Sequence, residues 1–387
     1  MNNNNFTKLK NRILYIIITL IIFAFLPSCK GGKAKTTSSS VGDTLKLKYA
    51  RQFSIIKYKD YTLATVRNPW DTSKIMETYI LLNKKHKSNS NLPKGTKVII
   101  PLKKTVVYSS VHCSLISQLE AYKSIAGVCD LQYIKMPEIQ ESVNNGSISD
   151  LGNGLNPDVE KIINLNPDAL LISPFQNSGV NTKIAQLHIP IIQCADYMEV
   201  SPLARLEWIK FYGILLGKEK IANEIFTRVE NEYNNLKRMA MQTKNRPTVI
   251  GGVKSSSAWY IAGGQSITGI LYKEAGAKYV FSDYKATGSI PLSFETVYDK
   301  GNEADFWFIK YNQSQNKTYT ELKSDYEAYS HFKAFKTQHI YGCNTNYTAY
   351  YEESPYNPQK LLKDLIKIFH PELLPDYKTV YFKKLEE

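Results

Sequence analysis

Between Lys218 and Met241 the chain has neither glycine nor proline, and apolar residues return every third or fourth position: Ile221, Ile225, Val229, Tyr233, Leu236 and Ala240. Glu, Asn, Lys and Arg fill the positions between them. That spacing gathers the apolar side chains into one stripe of a helix. It predicts a single amphipathic helix about 35 Å long, at about 1.5 Å per residue. Ahead of it, Ser201 suits an N-cap and Pro202 the first helical position, so a helix over Leu203–Leu216 should break at Gly217. Arg246–Pro247 stops the long helix.

On both sides of this helix, short apolar runs alternate with helical segments. Before it, strands are expected at Thr105–Tyr108, up to Gly127-Val128-Cys129, from Asp168 to Ile172, and at Ile189–Ile192. Helices are expected over Val111–Lys123, ahead of Pro167, and around 181–187. After it come strands at Thr248–Gly251, within Asn302–Ile309 and at Gln338–Tyr341, with helices at Ile267–Ala275 and Pro358–Phe369. Continuous apolar strands belong to parallel sheets covered on both faces. One unit occurs twice: Glu160 begins a short helix and Asp168 opens an apolar strand, and Glu295 and Asp305 repeat the arrangement. The pattern predicts two α/β lobes, at residues 105–200 and 247–387, joined by a helical linker at 201–246.

Residues 45–104 read differently. Tyr61–Val66, Thr78–Leu82 and Lys97–Ile100 are rich in Thr, Tyr, Val and Ile, with turns at Asn68-Pro69 and Ser88–Gly95. They predict an antiparallel N-terminal β extension, either an edge addition or a partner surface.

The first residues are a targeting segment. Lys8, Lys10 and Arg12 precede an apolar run, Ile13–Phe25, interrupted only by Thr19. It is short for a membrane span and suits a signal-peptide core. Leu26-Pro27-Ser28-Cys29 resembles a lipobox, with Pro27 departing from the usual small aliphatic residue. Residues 1–28 then form a lipoprotein signal peptide, Cys29 is lipidated and 29–44 is a flexible tether. The alternative is an uncleaved membrane anchor.

Composition adds little beyond this. The 387 residues are 43% hydrophobic and 22% charged, ordinary for globular domains. The net charge of +14 becomes +11 without residues 1–28. Export argues against nucleic acid and leaves an anionic ligand, an anionic membrane face or plain solubility. Cys113, Cys129, Cys194 and Cys343 lack CxxC spacing, which removes zinc-ribbon and thioredoxin readings. Cys113 and Cys129 are either a disulfide on one sheet edge or free buried thiols. No nucleophile–base–acid arrangement, protein-held metal or cofactor stands out.

Six segments carry a family resemblance: Gly152–Ile172, Leu216-Gly217-Lys218-Glu219, Leu271–Gly276, Leu292–Ile309, Phe332–Gly342 and Leu362–Leu374. In this order they resemble the helical-linker (class III) periplasmic binding proteins of ABC importers for iron–siderophore complexes, haem and cobalamin. The departure is Asn302-Glu303-Ala304-Asp305, where the family has Asn-Pro-Asp. The resemblance implies two Rossmann-like lobes with a ligand between them and modest closure. It implies a cleft lined from 108–113, 174–177, 259–260, 284 and 347–351. The candidate ligand-binding residues are Tyr108, Ser109, His112, Phe175, Trp259, Tyr260, Tyr284, Tyr350 and Tyr351. Aromatic rings suit a large, partly planar chelate. His112 is either an axial ligand to the chelated metal or a residue that caps or packs at a helix start. Glu160 and Glu295 are either anchors for arginines of a permease dimer, one per lobe, or solvated helix charges. The expected function is a lipid-anchored, periplasmic-side substrate-binding protein that hands a metal chelate to an ABC permease and performs no chemistry. Its tyrosines and charge favour an iron–siderophore or haem slightly over cobalamin. The rivals are a chelate-processing enzyme of similar two-lobed build and a sensory or assembly lipoprotein.

Overall fold

The computed structural model describes residues 42–84, 92–176 and 182–387. The signal peptide, Cys29, most of the tether, part of the Ser88–Gly95 loop and Asn177 lie outside the described residues.

The strand-forming stretches of the extension build a five-stranded sheet in chain order: β1 (Asp43–Thr44), β2 (Phe53–Lys57), β3 (Thr62–Arg67), β4 (Ile75–Asn83) and β5 (Thr96–Ile100). β1 to β4 pair antiparallel, but β5 runs parallel to β4, with Tyr79 opposite Thr96 and Asn83 opposite Ile100. The expectation of a wholly antiparallel extension is corrected here. Twelve residues separate β4 from β5, enough for the crossover a parallel pair needs. Phe53, Ile55, Val66, Tyr79 and Val98 bury one face of this sheet. Phe53 packs on Trp208 at 4.8 Å and Tyr79 on Phe211 at 6.2 Å between ring centroids. The extension therefore shares the main core.

Buried carboxylates fasten it. Glu207 Oε2 accepts hydrogen bonds from the amides of Lys48 (3.0 Å), Tyr49 (2.8 Å) and Ala50 (2.9 Å). Glu199 Oε1 accepts from the Arg51 and Gln52 amides and from Trp208 Nε1. Glu230, on the linker helix, takes Lys48 Nζ and the Tyr49 hydroxyl. Charge-assisted bonds of this kind are strong, and losing the acceptor strands several amides at once.

The first lobe is a parallel sheet of β6 (Thr105–Val107), β7 (Ile125–Val128), β8 (Ser149–Asp150), β9 (Ala169–Ile172) and β10 (Ile191–Gln193), ordered β10-β9-β6-β7-β8. In the second, β11 (Thr248–Gly251), β14 (Lys278–Tyr279), β16 (Phe306–Tyr311) and β17 (Ile340–Asn344) are parallel, and β18 (Lys383–Lys384) closes the edge antiparallel to β17. A small antiparallel sheet joins β12 (Lys254–Ser255), β13 (Ala258–Ala262) and β15 (Ser289–Leu292). The repeated unit has a visible purpose. Asp168 Oδ2 accepts from the Lys104 amide at 2.9 Å, pinning the start of β6 beside β9. Asp305 Oδ2 accepts from the Thr248 amide and hydroxyl, both at 2.8 Å, pinning β11 beside β16. The departure around Ala304 leaves the work of the aspartate intact.

The linker helix spans Glu219–Met241 and buries Ile225, Val229, Tyr233, Leu236 and Ala240 of its predicted stripe, while Ile221 is only half-buried and the neighbouring Ala222 is buried at that end instead. Gly217, at φ +67°, ends the preceding segment in the left-handed conformation that favours glycine. That segment is two short helices, Pro202–Glu207 and Ile209–Leu216, rather than one. At Trp208 the amide bonds to Arg205 O, three residues back, which tightens the turn. Cys113, Cys129, Cys194 and Cys343 are free and buried, so the thiol alternative holds over the disulfide.

Candidate ligand-binding cleft

In open α/β sheets the crevice opens at the carboxyl ends of the strands, where the strand order reverses. In the first lobe that point lies between β6 and β9. The chain leaving β6 supplies Ser109, whose extended backbone leads into the Ser110–Gln118 helix, and the chain leaving β9 supplies Phe175.

A cavity of about 470 Å³ lies between the lobes, lined by Ser110, Tyr133 and Lys135 on one side and by Lys310, Asn312 and Tyr351 on the other. A second, of about 250 Å³, shares Lys310 and Tyr351 with it and adds Val111, Arg205 and Tyr350. A third, of about 300 Å³, shares Val111 and Arg205 and is bounded by Ser109, His112, Phe175, Asp196 and Tyr197. Shared walls make them one crevice of a size suited to a small-molecule ligand. Ser109, His112, Phe175, Tyr350 and Tyr351 thus converge on it.

Its electrostatics are one-sided. Lys310, next to last in β16, holds its ammonium 4.8 Å from the Tyr350 ring centroid and 5.4 Å from that of Tyr351, with no ion pair among the described residues. The Lys135 ammonium likewise makes no ion pair among them, while its amide donates to Glu352 Oε1 at 2.7 Å across the lobes. Glu352 is buried, and burial raises its pKa. Arg205 Nε lies 3.2 Å from Asp196 Oδ2. Asp196 is itself saturated: Oδ1 takes His112 Nε2 at 2.9 Å and the Tyr212 hydroxyl at 3.1 Å. Cationic side chains face the crevice, and its carboxylates are engaged with the protein.

His112 is 2% exposed. Burial opposes its protonation, but Cys194 and Asp196 beside it outweigh burial and raise its pKa. Asp196 shifts the opposite way: burial would raise it, and His112 and Arg205 hold it low. The result is a buried imidazolium–carboxylate pair. His112 Nε2 is taken up by Asp196 Oδ1 at 2.9 Å and the Tyr212 hydroxyl at 3.1 Å, a geometry that supports the packing alternative over the axial-ligand one.

Trp259 is also corrected. It is fully buried, packed at tilted angles against Trp307 at 5.5 Å and Phe332 at 5.8 Å, with Nε1 donating to Gly251 O at 3.1 Å. Alternation along β13 turns the neighbouring Tyr260 outward, 55% exposed, away from the three cavities. Tyr284 is half-buried against Phe281 with Lys300 Nζ 4.7 Å from its ring, and also lies outside them. Tyr108 packs half-buried on the smaller core cluster of the first lobe, its hydroxyl without a hydrogen-bond partner among the described residues. Glu160 and Glu295 are exposed in the first turns of their helices.

The residues that sequence reasoning missed are Tyr133, Lys135, Asp196, Arg205, Lys310 and Glu352. Lys310 lies at the carboxyl end of β16 and Tyr133–Lys135 in the connection that leaves the carboxyl end of β7, so the carboxyl-end rule was a usable signal. Arg205 sits in a linker-region helix and carried none. Among the described residues, no three His, Cys, Asp or Glu side chains converge to hold a bare metal ion.

Residues 121–347 match the sequence profile described as periplasmic binding protein. An uncharacterized lipoprotein of Methanocaldococcus jannaschii is 28% identical over 90% of this chain and 88% of its own length. Among solved structures, a possible iron-binding, periplasmic solute-binding protein from Staphylococcus epidermidis aligns with a TM-score of 0.55 at 17% identity, covering 70% of this chain and 99% of that one. A periplasmic heme-binding protein from Pseudomonas aeruginosa aligns with a TM-score of 0.56 at 14% identity, covering 74% and 99%. At these identities the structural likeness concerns the fold.

Proposed function

This chain belongs to the periplasmic binding protein family, and on that premise we propose that it delivers an anionic metal chelate, a ferric siderophore or haem ahead of cobalamin, to an ABC permease dimer. Members of the family are extracytoplasmic solute-binding proteins rather than enzymes, and this chain is one of them. The observation that carries the ligand reading is the pairing of Lys135, Arg205 and Lys310 around a crevice whose carboxylates are already engaged. A cationic, partly desolvated cleft favours a ligand of opposite charge. Exposed aromatic rims at Tyr133, Phe175 and Tyr351 support a broad chelate, because rings cover area with little loss of freedom. The chelate would bring its own metal ligands.

Within this reading Ser109, Phe175, Tyr350 and Tyr351 contact the ligand. Glu160 and Glu295 dock the permease. Cys29 carries the lipid, supported by the lipobox-like sequence and by a lipoprotein relative. The test is native mass spectrometry of the protein purified from its own cells. A co-purifying anionic ferric chelate or haem is expected; a corrinoid in its place would overturn the ligand assignment. Cys29→Ala should separately abolish fatty-acid labelling.

A further inference from the structure

Three cations line the cleft, but the bulk of this protein's net positive charge lies outside the two lobes. Residues 42–104 contain 14 Lys and Arg against 4 Asp and Glu, a net +10, whereas residues 105–387, which hold both lobes, carry a net −2. Residues 1–41 carry the remaining +6, so within residues 42–387 the basic balance belongs to the extension, which calls for a partner other than the chelate. Exposed cations lie on its strands and connecting loops: Arg67 and Lys97 in strands, and Arg51, Lys59, Lys94 and Lys74, the last paired with Asp71 at 2.8 Å, in the loops. Two exposed isoleucines stand among them. Ile75, 62% exposed, follows Lys74 and pairs across the ladder with Arg67. Ile99, 47% exposed, shares the outward side of β5 with Lys97, while Val98 between them is buried. In sequence, β1 of this sheet is the first described element after the lipobox-like sequence.

We propose that the β extension is a membrane-docking face that binds the headgroups of anionic lipids, holding the two lobes at a fixed distance from the bilayer. It rests on the reading that the N-terminus is lipid-anchored, since the anchor delivers the extension to the surface. Cations near an anionic leaflet are attracted within about a Debye length, roughly 10 Å at 0.1 M salt. Apolar side chains placed among such cations then enter the headgroup boundary. The extension is suited to the task because its opposite face is fixed to the core through Phe53, Tyr79 and the Glu207 carboxylate.

The experiment uses residues 30–387, which include the compact body Gly42–Glu387 and lack Cys29. Its outcome is therefore independent of lipidation, which fatty-acid labelling reads. Co-sedimentation is measured with vesicles of phosphatidylcholine alone or with about a third phosphatidylglycerol, at low and high salt. Binding is expected to the anionic vesicles only and to fade at high salt. Arg67→Glu, Lys74→Glu, Lys94→Glu and Lys97→Glu together should weaken partitioning at least about tenfold, with melting unchanged. The same number of reversals on the second lobe and its approach, at Lys244, Lys278, Lys336 and Lys378, should change it less than about threefold. Equal binding to neutral vesicles, equal loss from both variants, or binding to polyphosphate without binding to anionic vesicles would overturn the proposal.

Discussion

Glu160 and Glu295 occupy the same helical position in opposite lobes. Each lies two residues past an N-cap side chain that accepts an amide one residue further on, Asp158 from Lys161 at 3.0 Å and Ser293 from Thr296 at 3.2 Å. Each is exposed, and each helix leads into a strand pinned by an aspartate, Asp168 or Asp305. The caps do the structural work at both helix starts, which leaves the two glutamates available to a partner.

Glu160→Arg with Glu295→Arg should therefore leave chelate affinity and melting temperature nearly unchanged. Uptake into permease-containing vesicles should fall at least about tenfold, because like charges then face each other across the interface. Normal uptake by a folded, chelate-binding double variant would remove the docking role.

The His112–Asp196 pair gives stability a specific pH dependence. His112 has a raised folded-state pKa, so its contribution is complete below about pH 6.5 and declines as pH rises towards the folded value. Asp196 is lowered, so its contribution is present above the usual carboxylate range and declines only in strong acid. Urea unfolding should show stability falling between pH 7 and 9, with a slope of at most about 1.4 kcal/mol per pH unit from this one proton. His112→Gln should remove most of that slope. An unchanged slope in the variant would mean that the imidazole is neutral.

Glu207→Ala should cost about 3–5 kcal/mol, because the amides of Lys48, Tyr49 and Ala50 and the Lys210 ammonium lose a buried acceptor together. Hydrogen exchange should then open residues 48–57 first. A loss below about 1 kcal/mol would show that the aromatic contacts alone hold the extension.

Much of this architecture was legible because its signals are local. The linker stripe from Ile225 to Ala240 and the Glu…Asp unit are patterns within one segment, and they folded as read, with Ile221 at the helix start only half-buried. What was not legible depends on contacts between distant segments. β5 turned parallel because of crossover length and pairing with β4, which composition does not record. Trp259 and Tyr260 are adjacent, and only the packing of β13 on Trp307 decides that one is core and the other exposed. The cationic lining was hidden for the same reason: Arg205, Lys135 and Lys310 are scattered over 175 residues and meet only at the lobe boundary.

The most direct test of an anionic chelate in this cleft is an equilibrium titration followed by intrinsic fluorescence, comparing a ferric tris-catecholate, which is trianionic, with electrically neutral cyanocobalamin. The catecholate should bind at least about tenfold more tightly, a difference of about 1.4 kcal/mol. Lys310→Glu should abolish that preference while leaving the melting temperature of the free protein unchanged. Cyanocobalamin binding as tightly as the catecholate, with Lys310→Glu affecting neither, would contradict the charge-based assignment.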